Sequence, residues 1–167
     1  RLLTKEDIRL ILQSRFENDE CTRLGEIPKP SSLKDIAKAS KRIVGAIQSQ
    51  ERIAIVGDYD VDGVISSVIL SQFFDDLGVD YSLIIPNRFT DGYGLNPEIV
   101  SKLDVHVIIT VDNGISAVEA AQICKDHGID LIITDHHSIP AIVPDAYAIV
   151  NPKQEDCPFP HCEICGA

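Results

Sequence analysis

The sequence predicts an α/β fold: a parallel five-stranded sheet with helices on both faces, preceded by a helical N-terminal arm. Three observations carry that prediction. Short, nearly continuous apolar runs rich in Val and Ile (Ile53–Val56, Tyr81–Ile85, Val105–Val111, Leu131–Thr134 and Ala146–Val150) have the length and composition of strands buried on both faces. Segments of helical periodicity separate the first four, the alternation from which parallel sheets are built. Acidic, imidazole and guanidinium side chains recur just beyond the carboxyl ends of these runs, where such sheets bind ligands.

In chain order, a first helix should start at Thr4, with Asp7 three residues on completing a capping-box arrangement and Ile8, Ile11, Leu12 and Phe16 at helical spacing. The polar stretch with Pro28 and Pro30 reads as a linker. Ser32 is expected to cap a helix that turns Leu33, Ile36, Ala37, Ile43, Val44 and Ile47 inward. After the first strand, Val64, Ile65, Val68, Ile69 and Leu77 mark a helix. Asn96 as cap with Pro97 in the first turn marks a short one. Ile115, Val118 and Ala121 mark another, stopped by Gly128. No internal repeat appears.

Bulk properties limit the function. With 167 residues, 44% apolar and 25% charged, the chain can bury a core. Residues 1–32 read as a helical arm and linker, and residues 33–167 as the domain. No apolar run reaches the ~20 residues of a membrane span, and no signal segment opens the chain, so a cytoplasmic protein is expected. The opening at Arg1 and the stop at Ala167 suggest a piece of something larger. A net charge of −11 argues against a broad nucleic-acid-binding face, yet is compatible with a phosphate site bridged by cations. The odd set Cys21, Cys124, Cys157, Cys162 and Cys165 does not read as a disulfide framework. Cys157, His161, Cys162 and Cys165 have zinc-like spacing, with free thiols as the plainer reading.

Val56-Gly57-Asp58-Tyr59-Asp60-Val61-Asp62-Gly63 is the most telling stretch. Three carboxylates at alternate positions repel one another unless a cation lies between them, and oxygen ligands favour magnesium or manganese. A solvated acidic turn competes with that reading. An EF-hand does not, because its twelfth position, Ile69, is no ligand. A haloacid-dehalogenase-type phosphatase would take Asp60 as nucleophile, but leaves Asp112 and the histidines without roles. No G-x-G-x-x-G is present for a dinucleotide. Asp112, in Thr-Val-Asp-Asn-Gly, could cap a helix or bridge two ions. Asp135-His136-His137 can join a metal ligand to a group that contacts phosphate or moves a proton. Arg88, at the end of the second strand, suits phosphate. His106 reads as packing and His127 as a helix C-terminal charge.

Gly-Asp-Tyr-Asp-Val-Asp-Gly, Pro-Asn-Arg with Asp-Gly-Tyr-Gly-Leu, Thr-Val-Asp-Asn-Gly-Ile-Ser and Thr-Asp-His-His, in this order, resemble the successive motifs of the DHH phosphoesterase superfamily. The likeness is greatest to its RecJ branch, the single-strand-specific 5′→3′ DNA exonucleases, and spans roughly Ile43 to Ala167. The resemblance implies a DHH domain, truncated at its C-terminal end, with a site for two Mn2+ or Mg2+ ions. Asp60 and Asp62 would be ligands, with Asp58 a ligand or a group behind one. Asp112 would bridge, and His136 would bind one ion. Arg88 and His137 would contact the scissile phosphate, with His137 and Asp135 serving catalysis. Single-stranded DNA is the implied partner, alongside a single-strand-binding protein and a helicase, in DNA repair and recombination. Val56 stands where many members carry His, which implies a looser hold on one ion. A further Asp and further domains are expected past Ala167, so the chain alone should bind metal but be weak as a processive nuclease. Two other readings compete: a small-substrate DHH phosphoesterase acting on oligoribonucleotides or cyclic dinucleotides, and a non-catalytic replication scaffold.

Overall fold

The computed structural model describes residues 4–15 and 24–167; Phe16 and Cys21 lie outside them. The helices are α1 (Lys5–Arg15), α2 (Ile36–Gln48), α3 (Val61–Leu77), α4 (Pro97–Lys102) and α5 (Val118–Asp126). The strands are β1 (Ile53–Val56), β2 (Tyr81–Ile84), β3 (Val107–Val111), β4 (Asp130–Thr134) and β5 (Ala148–Val150). All strand pairings are parallel, in the order β2-β1-β3-β4-β5. The direction of winding therefore reverses between β1 and β3, and the crevice at their carboxyl ends is the topological switch point.

The strands alternate between two buried layers. Ala54, Val56, Ile108, Leu131 and Ile133 pack with Val100, Ala120, Ala121 and Cys124 under α4 and α5. Ile53, Ile55, Val107, Ile109 and Ile132 pack with Ala39, Ala46 and Phe74 under α2 and α3. Burial on both faces explains why these strands read as continuous apolar runs.

The helices depart from their sequence reading in instructive ways. Thr4 and Asp7 form the expected box: Thr4 Oγ1 accepts the Asp7 N–H at 3.1 Å and Asp7 Oδ2 accepts the Thr4 N–H at 2.8 Å. Yet Ile8, Ile11 and Leu12 of α1 are exposed. Ser32 does not cap α2. It closes a 3-10 turn, Pro30–Ser32, and α2 begins after Asp35, whose φ is 60°. Asp35 instead accepts the Ile149 N–H of β5, tying α2 to the sheet edge. Ala37 and Val44 face outward, while Ala39 and Ala46 are buried.

In α3 the apolar pattern is inverted. Val64, Ile65, Val68, Ile69, Phe73 and Leu77 are exposed, whereas Gly63, Ser67, Ser71 and Phe74 are buried. Small residues face the sheet because the helix enters close to the β1 loop. A Cβ on Gly63 would lie 2.5 Å from the Asp58 Cβ. Ile115, read as helical, lies buried ahead of α5.

This inversion separates two adjacent rings. Phe74→Ala, emptying a fully buried position, should cost about 3–5 kcal/mol in chemical denaturation. Phe73→Ala, at a side chain that is 52% exposed, should stay within about 0.5 kcal/mol. Equal costs would contradict this helix orientation.

Candidate metal centre

The register of β1 with β3 builds the site. Val56 lies opposite Thr110, so Asp58 and Asp112, each two residues further on, leave the sheet side by side. Val111 lies opposite Thr134 of β4, which brings Asp135, His136 and His137 to the same edge. Two groups of potential ligand atoms result, each lying within 4.8 Å of one another: Asp58, Asp60 and Asp112, and Asp112, His136 and His137. Asp112 belongs to both.

Asp112 does not cap a helix. Its φ of 62° puts it in the left-handed region, and its N–H donates to the Thr134 carbonyl at 2.9 Å. The residue is 1% exposed, yet neither carboxylate oxygen accepts a hydrogen bond. Burial pushes its carboxyl up to about 7, helped by the neighbouring Asp60 charge and opposed by His136. A buried carboxylate without a donor is costly unless a cation meets it. His136 Nε2 is 3.1 Å from Asp112 Oδ1. His136 Nδ1 lies 2.7 Å from the Ile164 carbonyl, which can only accept; in the neutral ring Nδ1 therefore carries the proton, and Nε2 turns its lone pair towards Asp112. Two acceptors facing one another across a buried gap fit a cation.

Asp60 caps α3, its Oδ1 accepting the Gly63 N–H at 3.0 Å, and this bond holds its carboxyl below the usual range. Asp58 is buried, and its Oδ1 accepts the Tyr59 N–H. Asp62, in the first turn of α3, lies outside both groups; its Oδ2 accepts the Gly166 N–H at 2.9 Å. Asp135 is fully engaged as an acceptor. Its Oδ1 takes the N–H groups of His136 and His137 and, at 2.7 Å, His137 Nδ1, while Oδ2 takes the Ile115 N–H. Burial disfavours a charged His137, but the bond to Asp135 outweighs it and raises the imidazole pKa.

Arg88 is exposed and sits 5.6 Å over the Tyr59 ring. Tyr59 meets Tyr93 edge-on, and Tyr93 meets His137 likewise, so a relay of edge-on rings separates Arg88 from His137. Burial, then the Asp58 charge, raise the Tyr93 phenol pKa. A cavity of about 380 Å³ lined by Tyr93, Gly94, Gly114, Ser116, Asp135 and His137 opens beside the centre.

Other expected positions fall elsewhere. His106 does not pack in the core: it is exposed, and its Nδ1 accepts the Arg52 N–H at 3.0 Å, at the opposite end of the strands. Cys157, Cys162 and Cys165 do not gather with His161 into a ligand group among the described residues. Cys157 Sγ instead accepts the Lys34 N–H.

Three supports were missed in the sequence. Asn113 is fully buried; its Nδ2 donates to the Val56 and Val111 carbonyls and its Oδ1 accepts the Leu95 N–H, joining β1, β3 and the Tyr93 loop. Asn151 donates to the His137 carbonyl at 3.0 Å. Ile164 and Gly166 touch the centre from the far end of the chain. Only the turn-forming segments Asp-Asn-Gly and Asn-Pro hint at the two asparagines, and each hints at a turn.

The family model for the DHH family, N-terminal domain, matches residues 52–167. The chain belongs to the DHH family. Within it, the chain is 39% identical over 166 residues to the single-stranded-DNA-specific exonuclease RecJ of Bacillus subtilis, covering 94% of this chain and 21% of that protein. It is 39% identical over 140 residues to the Escherichia coli RecJ, covering 80% of this chain and 24% of that one. The chain thus spans less than a quarter of the length of these relatives. A crystal structure of exonuclease RecJ bound to manganese superposes with a TM-score of 0.69 at 32% identity, over 74% of this chain and 32% of that one. RecJ from Thermus thermophilus in complex with Mn2+ gives 0.65 at 27% identity, over 80% of this chain and 19% of that one. The DHH fold expected from the motifs is therefore borne out.

The raised carboxyl of Asp112 has a measurable consequence. The folded chain holds this proton more tightly than the unfolded chain, where the group titrates near 3.8. Its contribution is therefore fully present below that value and is lost as pH rises through about 7. Without divalent ions, the wild type should lose stability relative to Asp112→Asn between these limits in urea titrations at stepped pH. A difference that is flat with pH would exclude the shift.

Proposed function

We propose that this DHH chain is the metal-holding part of a nuclease that hydrolyses single-stranded DNA from its 5′ end, acting in the cytoplasm in recombination and repair. The observation that carries this reading is Asp112: a buried carboxylate without hydrogen bonds, shared by two groups of ligand atoms. Asp58, Asp60 and Asp112 would hold one Mn2+ or Mg2+, and Asp112 and His136 the other, with Asp62 a further carboxylate beside them and His137 left free for the phosphate. A bridging carboxylate suits two ions ~3.5–4 Å apart. The carboxylates repel one another when bare, and divalent cations relieve that repulsion. The curated RecJ relatives are named for single-stranded DNA, and the two similar solved structures are of RecJ with manganese.

Bound ions would supply an activated water and stabilise the attacking and leaving oxygens of phosphoryl transfer. The chain's own side chains do the rest. Asp135 fixes the His137 ring with Nδ1 protonated, which leaves Nε2 to contact phosphate or, when protonated, to donate to it. Arg88, on its tyrosine support, offers a planar fork to a phosphate oxygen at the rim. Asp60, engaged as the cap of α3, is poorly placed as the covalent nucleophile of a dehalogenase-type phosphatase. A single-strand-binding protein and a helicase are the protein partners this reading suggests.

Asp112→Asn tests the centre, because Asn tolerates the left-handed backbone and removes only the charge. Calorimetric titration should find Mn2+ binding in the wild type and loss of paired binding in the variant. Unchanged Mn2+ affinity in the variant would remove Asp112 from the centre. Substrate class is tested separately on the full-length protein: manganese-dependent release of nucleotides from 5′-labelled single strands, with duplex DNA and dinucleotides spared, is the expected result. Preferential cleavage of dinucleotides would assign the chain to the small-substrate phosphoesterases.

A further inference from the structure

Residues 164–166 make three contacts with the centre, each to a side chain from a different element. The Ile164 carbonyl faces His136 Nδ1 at 2.7 Å. The Gly166 N–H donates to Asp62 Oδ2 at 2.9 Å. Gly166 also packs flat against Asp112: a Cβ built there would lie 1.9 Å from Asp112 Oδ1 and 2.5 Å from its Cγ. Gly166 is not among the residues with positive φ, so its backbone could accept a side chain. What excludes one is the carboxylate.

We propose that the Ile164–Gly166 segment is a positioning element of the metal centre, with Gly166 its indispensable residue. This inference rests on the reading of Asp112 and His136 as ligands. The Ile164 carbonyl holds the His136 proton on Nδ1, so that Nε2 presents its lone pair to the same gap as Asp112 Oδ1. The Gly166 N–H orients Asp62, and the bare Gly166 Cα lets the Asp112 carboxylate occupy its buried position. Neither residue touches the reacting atoms. They act through Asp62, Asp112 and His136, which come from α3, the β3 loop and the β4 loop.

Two measurements test the element. The first is Mn2+ affinity of Gly166→Ala against the wild type, by calorimetry, with thermal melts of both metal-free proteins to establish folding. The variant should fold and bind about tenfold to a hundredfold more weakly, the effect typical of groups that orient ligands. Equal affinity would overturn the inference while leaving the metal centre standing. No Mn2+ binding by the wild type would overturn the underlying reading and the inference with it. The second is the His136 tautomer in the metal-free wild type, read from long-range proton–nitrogen correlation spectra of the imidazole. The inference requires the proton on Nδ1; a proton on Nε2 in the neutral ring would overturn it. Should Gly166→Ala fail to fold, the tautomer alone decides.

Discussion

The parallel pairing of β1 with β3 is the constraint on which the rest depends. Because Val56 and Thr110 are partners, the two loops that leave these strands carry Asp58 and Asp112 out together at the switch point. The helices that follow these strands, α3 and α5, pack on opposite faces of the sheet, so the crevice is open to both loops and to the β4 loop beside them. A one-residue slip in a parallel pair would send alternate side chains to the wrong layer. Burial of both sheet faces forbids that slip, and so the core fixes the site geometry before any charged group contributes.

The carboxylates are then held by polar groups that are themselves buried and satisfied. Asn113 binds two strand ends and the Tyr93 loop, and Asp135 gathers four donors around the histidine pair. Such saturated networks are rigid, since each lost bond would leave a buried group without a partner. Among these satisfied groups Asp112 stands out for having no donor and a left-handed backbone, which together cost of order a few kcal/mol. Strain and desolvation are concentrated at the residue that would gain most from a cation. The same logic accounts for the small residues on the buried side of α3. The helix must approach Asp58 closely for Asp60 and Asp62 to share the crevice, and larger side chains there would hold it off.

Much of this was legible in the sequence. Strand positions followed from runs of Val and Ile, and the four motifs at strand ends marked which loops matter. Helix faces were less legible. In α3 the apolar residues point outward, because backbone proximity outweighed side-chain burial on the sheet side. At α2 the apparent cap Ser32 lost to Asp35, which has a partner in β5 that no local pattern could disclose. Asp135 reads in sequence as one more acidic group near histidines; only its bonds make it a holder of His137. The cysteine spacing near the end allowed zinc beside the plainer reading of free thiols, and Cys157, Cys162 and Cys165 are free thiols.

By itself the sequence determined the fold class, the family and the set of acidic and imidazole residues at the strand ends. These depend on local composition and on motif order, both of which are written along the chain. Tertiary structure decided which of those residues share an ion-sized gap, which tautomer His136 adopts, and that Ile164 and Gly166 belong to the site. Those matters depend on contacts between segments up to 104 residues apart, as between Gly166 and Asp62. Such contacts are set by strand register and by the absence of a single Cβ, and neither leaves a periodic trace in the sequence.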